Sequence, residues 1–321
     1  MVKAIRATKP GGLDVMSWDD VEVGAPGKGE VRLKQTAIGV NFIDTYHRAG
    51  TYPGSTYPVI LGVEGAGVVE AVGDGVTAFS KGDRVCYALA RGSYAEERLI
   101  PETALIRIPD GVSDDEAAAG ITKGVTVHHL FTRVRPVKAG DFVLYHAAAG
   151  GVGLIACQWA KQIGVKLIGT ASTDEKAKLA RDHGAAETIV YTRENFVDRV
   201  KAITGGAGVA LAIDGIGKSS AKESAKCLAT YGTLTTIGQA SGPSDLTIGD
   251  LPASTYFSKG SIATLVGRVD ELRASAAAFF DLVKRGAVKV DVNHRFALQD
   301  AAKAHAALEG RQTTGSIILK P

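Results

Sequence analysis

The chain has few of the residues that would tie it to a metal, a disulfide framework or a membrane. It contains three cysteines in 321 residues. Cys86, Cys157 and Cys227 are far apart, odd in number and accompanied by no histidine cluster. That pattern argues against a disulfide scaffold or a thiolate metal site and is expected of buried, reduced thiols in a reducing compartment. No apolar run approaches the roughly 20 residues that span a bilayer. The first residues carry Lys3, Arg6 and Lys9 in an alternating segment, so no secretory signal is expected and the cytoplasm is the expected location. The net charge of +3 includes no basic block, and aromatic and basic residues are not interleaved. Nucleic acid and anionic membranes are therefore not expected as partners.

What is present is an ordinary globular composition, 45% hydrophobic and 22% charged, with enough length for two cored domains. The segment Asp141-Phe-Val-Leu-Tyr-His-Ala-Ala-Ala-Gly-Gly-Val-Gly153 combines a short apolar run with a glycine turn. Beyond it, Ile155, Trp159 and Ile163 recur at helical spacing. A strand, a tight turn and a helix N-terminus make a ready anion site, because the first helical amides lack internal partners and the helix dipole is positive there. This is the layout that binds a dinucleotide pyrophosphate. Gly150, Gly151 and Val152 are the candidate pyrophosphate contacts, and Gly153 the close-packing glycine. Ala148 stands where the usual fingerprint has its first glycine.

A series of further strands follows, at Lys166–Ser172, Thr188–Tyr191, Val209–Ile216 and Gly232–Gly238, with a sixth expected at Ser261–Leu265. Strands alternating with helices predict a doubly wound parallel sheet, with ligands at the carboxyl ends of the strands. Tyr191, Ile216, the loop residues Ala240, Ser241 and Gly242, and Leu265 fall at those ends. At the tip of the second strand an NAD site places an acid about 20 residues after the glycines. Here the residues are Thr170 to Thr173, with Lys176 one turn into the next helix. Ser172 and Lys176 favour a 2′-phosphate, and hence NADPH. Asp174 reads as the helix N-cap, and Lys176 also fits a solvated helix charge.

Around this region the texture changes. Val2–Thr8, Glu30–Val40, Gly65–Gly73, Arg84–Ala90 and Ser93–Ile100 are short β-type runs between turn signals, predicting a β-rich, barrel-like domain. Helices are expected at Asp270–Arg285 and Leu298–Gly310, with closing strands at Val288–Val292 and Gly315–Lys320 that return to the β-rich domain. The expected division is a β-rich domain over 1–124 and 267–321 and a Rossmann domain over 125–266, with a ligand cleft between them.

The motifs Gly39-Val-Asn-Phe-Ile-Asp-Thr-Tyr46, Gly62-Val-Glu-Gly-Ala-Gly67, Lys123-Gly-Val-Thr126, Ala148-Ala-Gly-Gly-Val-Gly153 and Arg311-Gln-Thr-Thr-Gly315 extend over essentially the whole chain. The sequence resembles the zinc-free medium-chain dehydrogenases/reductases, specifically the NADPH:quinone oxidoreductases that include the zeta-crystallin-like enzymes. That resemblance implies a GroES-like catalytic domain beside the Rossmann domain, NADPH as cofactor, a quinone substrate and, as in the bacterial members, a cytosolic homodimer. It also implies that Asn41, Phe42, Asp44 and Tyr46 line the nicotinamide end and that Tyr52 closes over it. Thr126 and His129 would lie near the nicotinamide, and Arg311 in the C-terminal part of the NADPH pocket. As residues alone, Asn41 and Asp44 also fit turn or capping roles, and Tyr46 and Tyr52 fit core aromatics. Arg311 has Glu309 as a nearby surface partner, and His128 and His129 fit structural roles as well as catalytic ones.

Zinc dehydrogenases of the same superfamily place Cys and His where this chain has Asn41 and Val63. Neither is a suitable zinc donor, so no metal is expected. Hydride donation to an acceptor that needs little activation, a quinone, is the chemistry that remains. A zinc-free enone or enoyl-thioester reductase and an NADPH-binding protein without turnover are the alternative readings. No acid–base residue identifies itself.

Overall fold

The computed structural model describes residues 1–52 and 54–321. The chain divides into two compact units, Met1–Lys123 with Ala263–Lys284 and Val290–Pro321, and Gly124–Ile262 with Arg285–Lys289.

The first unit opens with β1 (Val2–Ala7), β2 (Met16–Val21), β3 (Glu30–Val40), the helix α1 (Phe42–Ala49), β4 (Val59–Ile60) and β5 (Glu64–Val72). It continues through β6 (Arg84–Tyr87), β7 (Glu97–Pro101), β8 (Ile106–Arg107) and the start of α2 (Asp114–His129). β1 pairs with β2 and β4 in a small antiparallel sheet. The long β3 is the spine of the larger sheet and pairs antiparallel with β5 and β7. Alternation along β3 sends Val31 and Leu33 into a core with Val69, Phe79, Val85 and Tyr87. Farther along, Ile38 and Val40 enter a second core with Ile5, Leu61 and Tyr94.

The second unit holds β9 (Phe142–Tyr145), α3 (Gly151–Gln162), β10 (Lys166–Ala171), α4 (Asp174–Asp182), β11 (Glu187–Val190) and α5 (Phe196–Ile203). Then come β12 (Val209–Asp214), α6 (Ala221–Ala225), β13 (Leu228–Thr236) and β14 (Tyr256–Lys259). All six strands are parallel, in the order β11-β10-β9-β12-β13-β14. This is the doubly wound order, with its topological switch point between β9 and β12. Leu144, Ile168, Ile189, Val197 and Leu234 fill one of its faces.

The remaining elements of the first unit are α7 (Val269–Lys284), β15 (Val292–Ala297), α8 (Ala301–Glu309) and β16 (Ser316–Lys320). β16 runs antiparallel to β3 and carries β15 on its outer side, so the closing strands join the β-rich sheet.

Three expectations from sequence are displaced. The sixth strand is Tyr256–Lys259, whereas residues 262–265 form a 3-10 turn that buries Ile262 and Leu265 at a spacing of three. The run Val288–Val292 pairs with nothing until Val292, where β15 begins. Its first half stays with the second unit, because Gln158 bonds both backbone groups of Lys289, accepting from N at 2.8 Å and donating to O at 3.0 Å. Finally, Asp174 is not the cap of α4. Thr173 is, its hydroxyl accepting from Lys176 N at 3.3 Å.

Candidate functional site

In the second unit the site begins where β9 ends. Ala147 adopts φ 56°, a left-handed conformation uncommon for a residue with a side chain, and reverses the chain into Gly150, the extended N-cap of α3. The amides of Gly151 and Val152 lie in the first turn of α3, where helix geometry gives them no internal acceptor. Gly153 is required sterically, since a Cβ there would fall 2.5 Å from the carbonyl oxygen of Ala148.

Residues after β10 form the second cluster. Tyr191 N donates to Ala171 O at 3.1 Å, and Thr192 Oγ1 donates to Ser172 O at 3.0 Å. These bonds hold Tyr191 beside Ser172 and the capped first turn that carries Lys176. Asp174 faces Arg193 in a two-pronged ion pair with both contacts at 2.5 Å, and the arginine lowers its carboxyl below the usual range. Of the two acids at this strand tip, Asp174 and Glu175, Asp174 therefore has a guanidinium partner.

The third cluster hangs on Asp214, fully buried at the end of β12. Its Oδ1 accepts from the amides of Ile216 and Gly217 at 2.8 and 2.9 Å. Ile216 O in turn accepts from Ser241 N and Ser241 Oγ, both at 2.8 Å, and Gly242 O accepts from Lys218 N at 3.0 Å. Ile216, Ala240, Ser241 and Gly242 thus form one laced pair of loops. Behind them His146 bridges Thr170 Oγ1 at 3.0 Å and Ser224 Oγ at 2.8 Å, and burial pushes its pKa down. Sequence reading gave no role to Asp214 or His146, and the partners of His146 lie on β10 and α6.

Thr126 and His129 are half-buried on α2, and His128 packs at 5.8 Å against the ring of Trp159. Burial, then Arg133, lowers the His128 pKa.

In the first unit the structure brings together Asn41, Phe42, Asp44, Tyr46 and Tyr52. Asn41 is the N-cap of α1 and Asp44 its third residue, forming a reciprocal capping box in which Asp44 Oδ2 accepts from Asn41 N at 2.8 Å. Gly50, at φ 76°, ends the helix. Phe42 and Tyr46 meet one turn apart in a tilted ring contact at 5.6 Å, and the ring of Tyr52 lies 4.6 Å from that of His47. The capping role is therefore real for Asn41 and Asp44. It also fixes the helix end that carries the aromatic residues.

Asn41 Nδ2 donates to Glu64 Oε2 at 2.6 Å. The same oxygen accepts from Lys123 Nζ at 3.0 Å, while Oε1 accepts from Thr122 N at 2.7 Å. Glu64 and Lys123 are both buried. Sequence reading singled both out as motif members but saw no pairing between residues 59 positions apart. A zinc ion does not fit these residues. The amide of Asn41 turns its N–H toward Glu64, the carboxylate is engaged by three donors, and Val63 is a buried aliphatic side chain. Among the described residues, no three His, Cys, Asp or Glu side chains gather to hold a metal.

Leu265 is buried in its 3-10 turn. Arg311 follows α8 on the surface with φ 56°. Glu309, the acid near it in sequence, bonds Arg48 at 2.8 and 3.0 Å. All three cysteines are buried free thiols, and burial pushes Cys157 and Cys227 up to about 12.

Two family models match, the alcohol dehydrogenase GroES-like domain over residues 27–110 and the zinc-binding dehydrogenase over residues 151–280. These define a medium-chain dehydrogenase/reductase. A curated quinone oxidoreductase of Pseudomonas aeruginosa is 45% identical, with all of both chains covered. A 2-haloacrylate reductase of a Burkholderia species is 44% identical, covering 100% of this chain and 99% of its own. The solved quinone oxidoreductase of Escherichia coli, complexed with NADPH, superposes with a TM-score of 0.96 at 39% identity, over 99% of this chain and 100% of the other. The chain belongs to the quinone oxidoreductase family of the medium-chain reductases. Although one matching model is named for zinc binding, the donor set around Asn41 and Val63 lacks zinc ligands.

Proposed function

We infer that the protein is an NADPH-dependent quinone reductase. The observation that carries this reading is the β10 tip, where Ser172, Tyr191 and Lys176 are held together and the carboxylate of Asp174 is paired with Arg193. An adenosine 2′-phosphate meets hydroxyls and a cation there, beside an Asp174 already offset by a guanidinium. The NADPH complex of the E. coli relative supports the same cofactor.

NADPH, when bound, supplies the hydride. The amides of Gly151 and Val152 would hold its pyrophosphate, and Gly150, whose own amide bonds Ala147 O, would allow the phosphates to approach closely. In the second unit the loops of Ile216, Ala240, Ser241 and Gly242, with Thr126 and His129, would add cofactor contacts, and Leu265 and Arg311 are the candidate cofactor contacts of the first unit. Asn41, Phe42, Asp44, Tyr46 and Tyr52 would position the nicotinamide and the acceptor, which assigns substrate orientation to the first unit. No residue acts as a metal-like Lewis acid, which suits a quinone, an acceptor that takes a hydride without carbonyl polarisation. The likeness to a 2-haloacrylate reductase favours activated alkenes as a second acceptor class.

The working form we propose is a cytoplasmic homodimer. β14 is an open edge with Tyr256 57% and Phe257 45% exposed, the kind of edge that a second copy covers. No helix is long and apolar enough to cross a membrane among the described residues.

The test is a fluorescence titration with NADPH and NADH, followed by turnover of 1,4-benzoquinone and 2-chloroacrylate with and without a chelator. NADPH preference with chelator-insensitive quinone turnover is expected. NADH preference would overturn the cofactor assignment, and turnover of the acrylate alone would transfer the assignment to alkenes. Light scattering should give twice the chain mass, and a monomer would remove the edge-strand argument.

A further inference from the structure

The capping box of α1 ends in a buried polar chain that the proposed function leaves unused. Asp44, Tyr94 and His305 are each fully buried, and Arg48 nearly so. Tyr94 Oη lies 3.1 Å from Asp44 Oδ2 and 2.9 Å from His305 Nε2. His305 Nδ1 lies 3.1 Å from Arg48 Nη1, and Arg48 is held by the Glu309 carboxylate.

Hydrogen-bond chemistry gives this chain one direction. A guanidinium only donates, so His305 Nδ1 must accept, and the imidazole proton sits on Nε2. Burial, then the Arg48 charge, lowers the His305 pKa to about 3, which keeps the ring neutral. Nε2–H therefore donates to Tyr94 Oη, and the tyrosine's own O–H goes to Asp44. From Arg48 through His305 and Tyr94, the bonds that link the chain each point toward Asp44. Because Arg48 neither gives nor takes a proton, the chain is a clamp and not a proton route to the surface.

We propose that Tyr94, oriented by His305 and Arg48, is a positioning residue for the reaction, acting through Asp44 on Asn41 and the first turn of α1. The proposal rests on the assignment of that turn to the nicotinamide end. Asp44 Oδ2 receives both the Asn41 amide and the Tyr94 hydroxyl. Asp44 Oδ1 is buried with no hydrogen-bond partner among the described residues, so the carboxyl's proton resides there when it is neutral. The charged groups facing Asp44 oppose each other, Glu64 raising its pKa and Lys123 lowering it. Burial dominates and brings Asp44 to about 7. Ionised Asp44 makes the stronger cap, because a negative charge at a helix N-terminus is favoured and charge-assisted bonds are the tighter ones. Asn41 is held best when Asp44 is ionised, and activity falls on the acid side as it takes up a proton.

The test is Tyr94→Phe, which keeps the ring and removes the donor. Carboxyl-carbon NMR of cofactor-free protein, labelled at aspartate, reads the Asp44 titration, and kcat/KM for quinone is measured from pH 5.5 to 9. Loss of a donor to the charged form raises the midpoint by about one unit or more. The acid limb of kcat/KM should move with it, costing about tenfold at pH 6 and less than twofold at pH 9. His305→Gln, whose amide can accept from Arg48 and donate to Tyr94, should keep the wild-type limb, and His305→Leu should shift it upward. Should Tyr94→Phe not fold, the two His305 variants carry the test alone. An unmoved titration, or a moved titration with an unmoved limb, overturns the proposal. A wild type that binds NADPH but reduces no quinone overturns the functional reading, and the proposal with it.

Discussion

The methyl group of Ala148 occupies the space that a side chain on Gly169 would need. A Cβ built on Gly169 falls 2.6 Å from Ala148 Cβ, and Ala148 is fully buried. The phosphate turn accommodates Ala148 in place of its usual first glycine because the neighbouring strand β10 carries no side chain at Gly169. Gly169→Ala is expected to overpack this contact and destabilise the protein by about 1–3 kcal/mol, weakening NADPH binding in parallel. The pair Ala148→Gly with Gly169→Ala should recover most of the loss in a double-mutant cycle. Additive losses would mean that the two sites are not coupled.

Glu64 and Lys123 form a buried ion pair whose carboxylate also carries Asn41. Removing one partner strands a charge in the interior, which costs about 3–5 kcal/mol. Lys123→Met and Glu64→Gln should each lower the denaturant midpoint sharply, while the double variant, which leaves no unpaired charge, should be milder than either. Equal or greater damage in the double variant would show that the pair contributes by packing alone.

The architecture was readable because its signals are local. The glycine turn, the apolar runs of β9, β10 and β12 and the capping pattern Asn41–Asp44 each fit within a dozen residues. The sixth strand was misplaced because β14 is an edge whose Tyr256 and Phe257 face solvent, so it lacks the buried pattern that marks a strand. The adjacent Ser261–Leu265 supplied an apolar run that belongs to a 3-10 turn. In the site, Asn41 and Asp44 could be picked out, but their supports could not. Glu64, Lys123, Tyr94 and His305 join them only after β3, β5, α2 and α8 have packed, through bonds that span as many as 257 residues.

At the β10 tip, Lys176→Ala removes the cation proposed for the 2′-phosphate. A charge-assisted contact of about 1.5 kcal/mol corresponds to roughly a tenfold rise in the NADPH dissociation constant. NADH, which lacks that phosphate, should bind within twofold of wild type. Arg193→Ala should also penalise NADPH selectively, because it frees the Asp174 carboxylate. Equal losses for both nucleotides would place Lys176 in the fold instead of the phosphate site.

Asp44 gives a pH signature to stability itself. Its folded-state pKa is raised from 3.8 to about 7, chiefly by burial. A raised pKa means that the folded protein binds the proton more tightly than the unfolded chain. The stabilisation linked to it is complete below the unfolded value, near pH 4, and is lost as pH climbs through about 7. Asp44→Asn keeps a neutral side chain at every pH and escapes that loss. The difference in unfolding free energy, variant minus wild type, should therefore rise between pH 4 and pH 8. The increase should be on the order of 4 kcal/mol at most, from about three units at 1.36 kcal/mol each. Urea melts at half-unit pH steps measure it. A flat difference across that window would mean that Asp44 titrates near its ordinary value and that its burial is relieved by a partner of Oδ1.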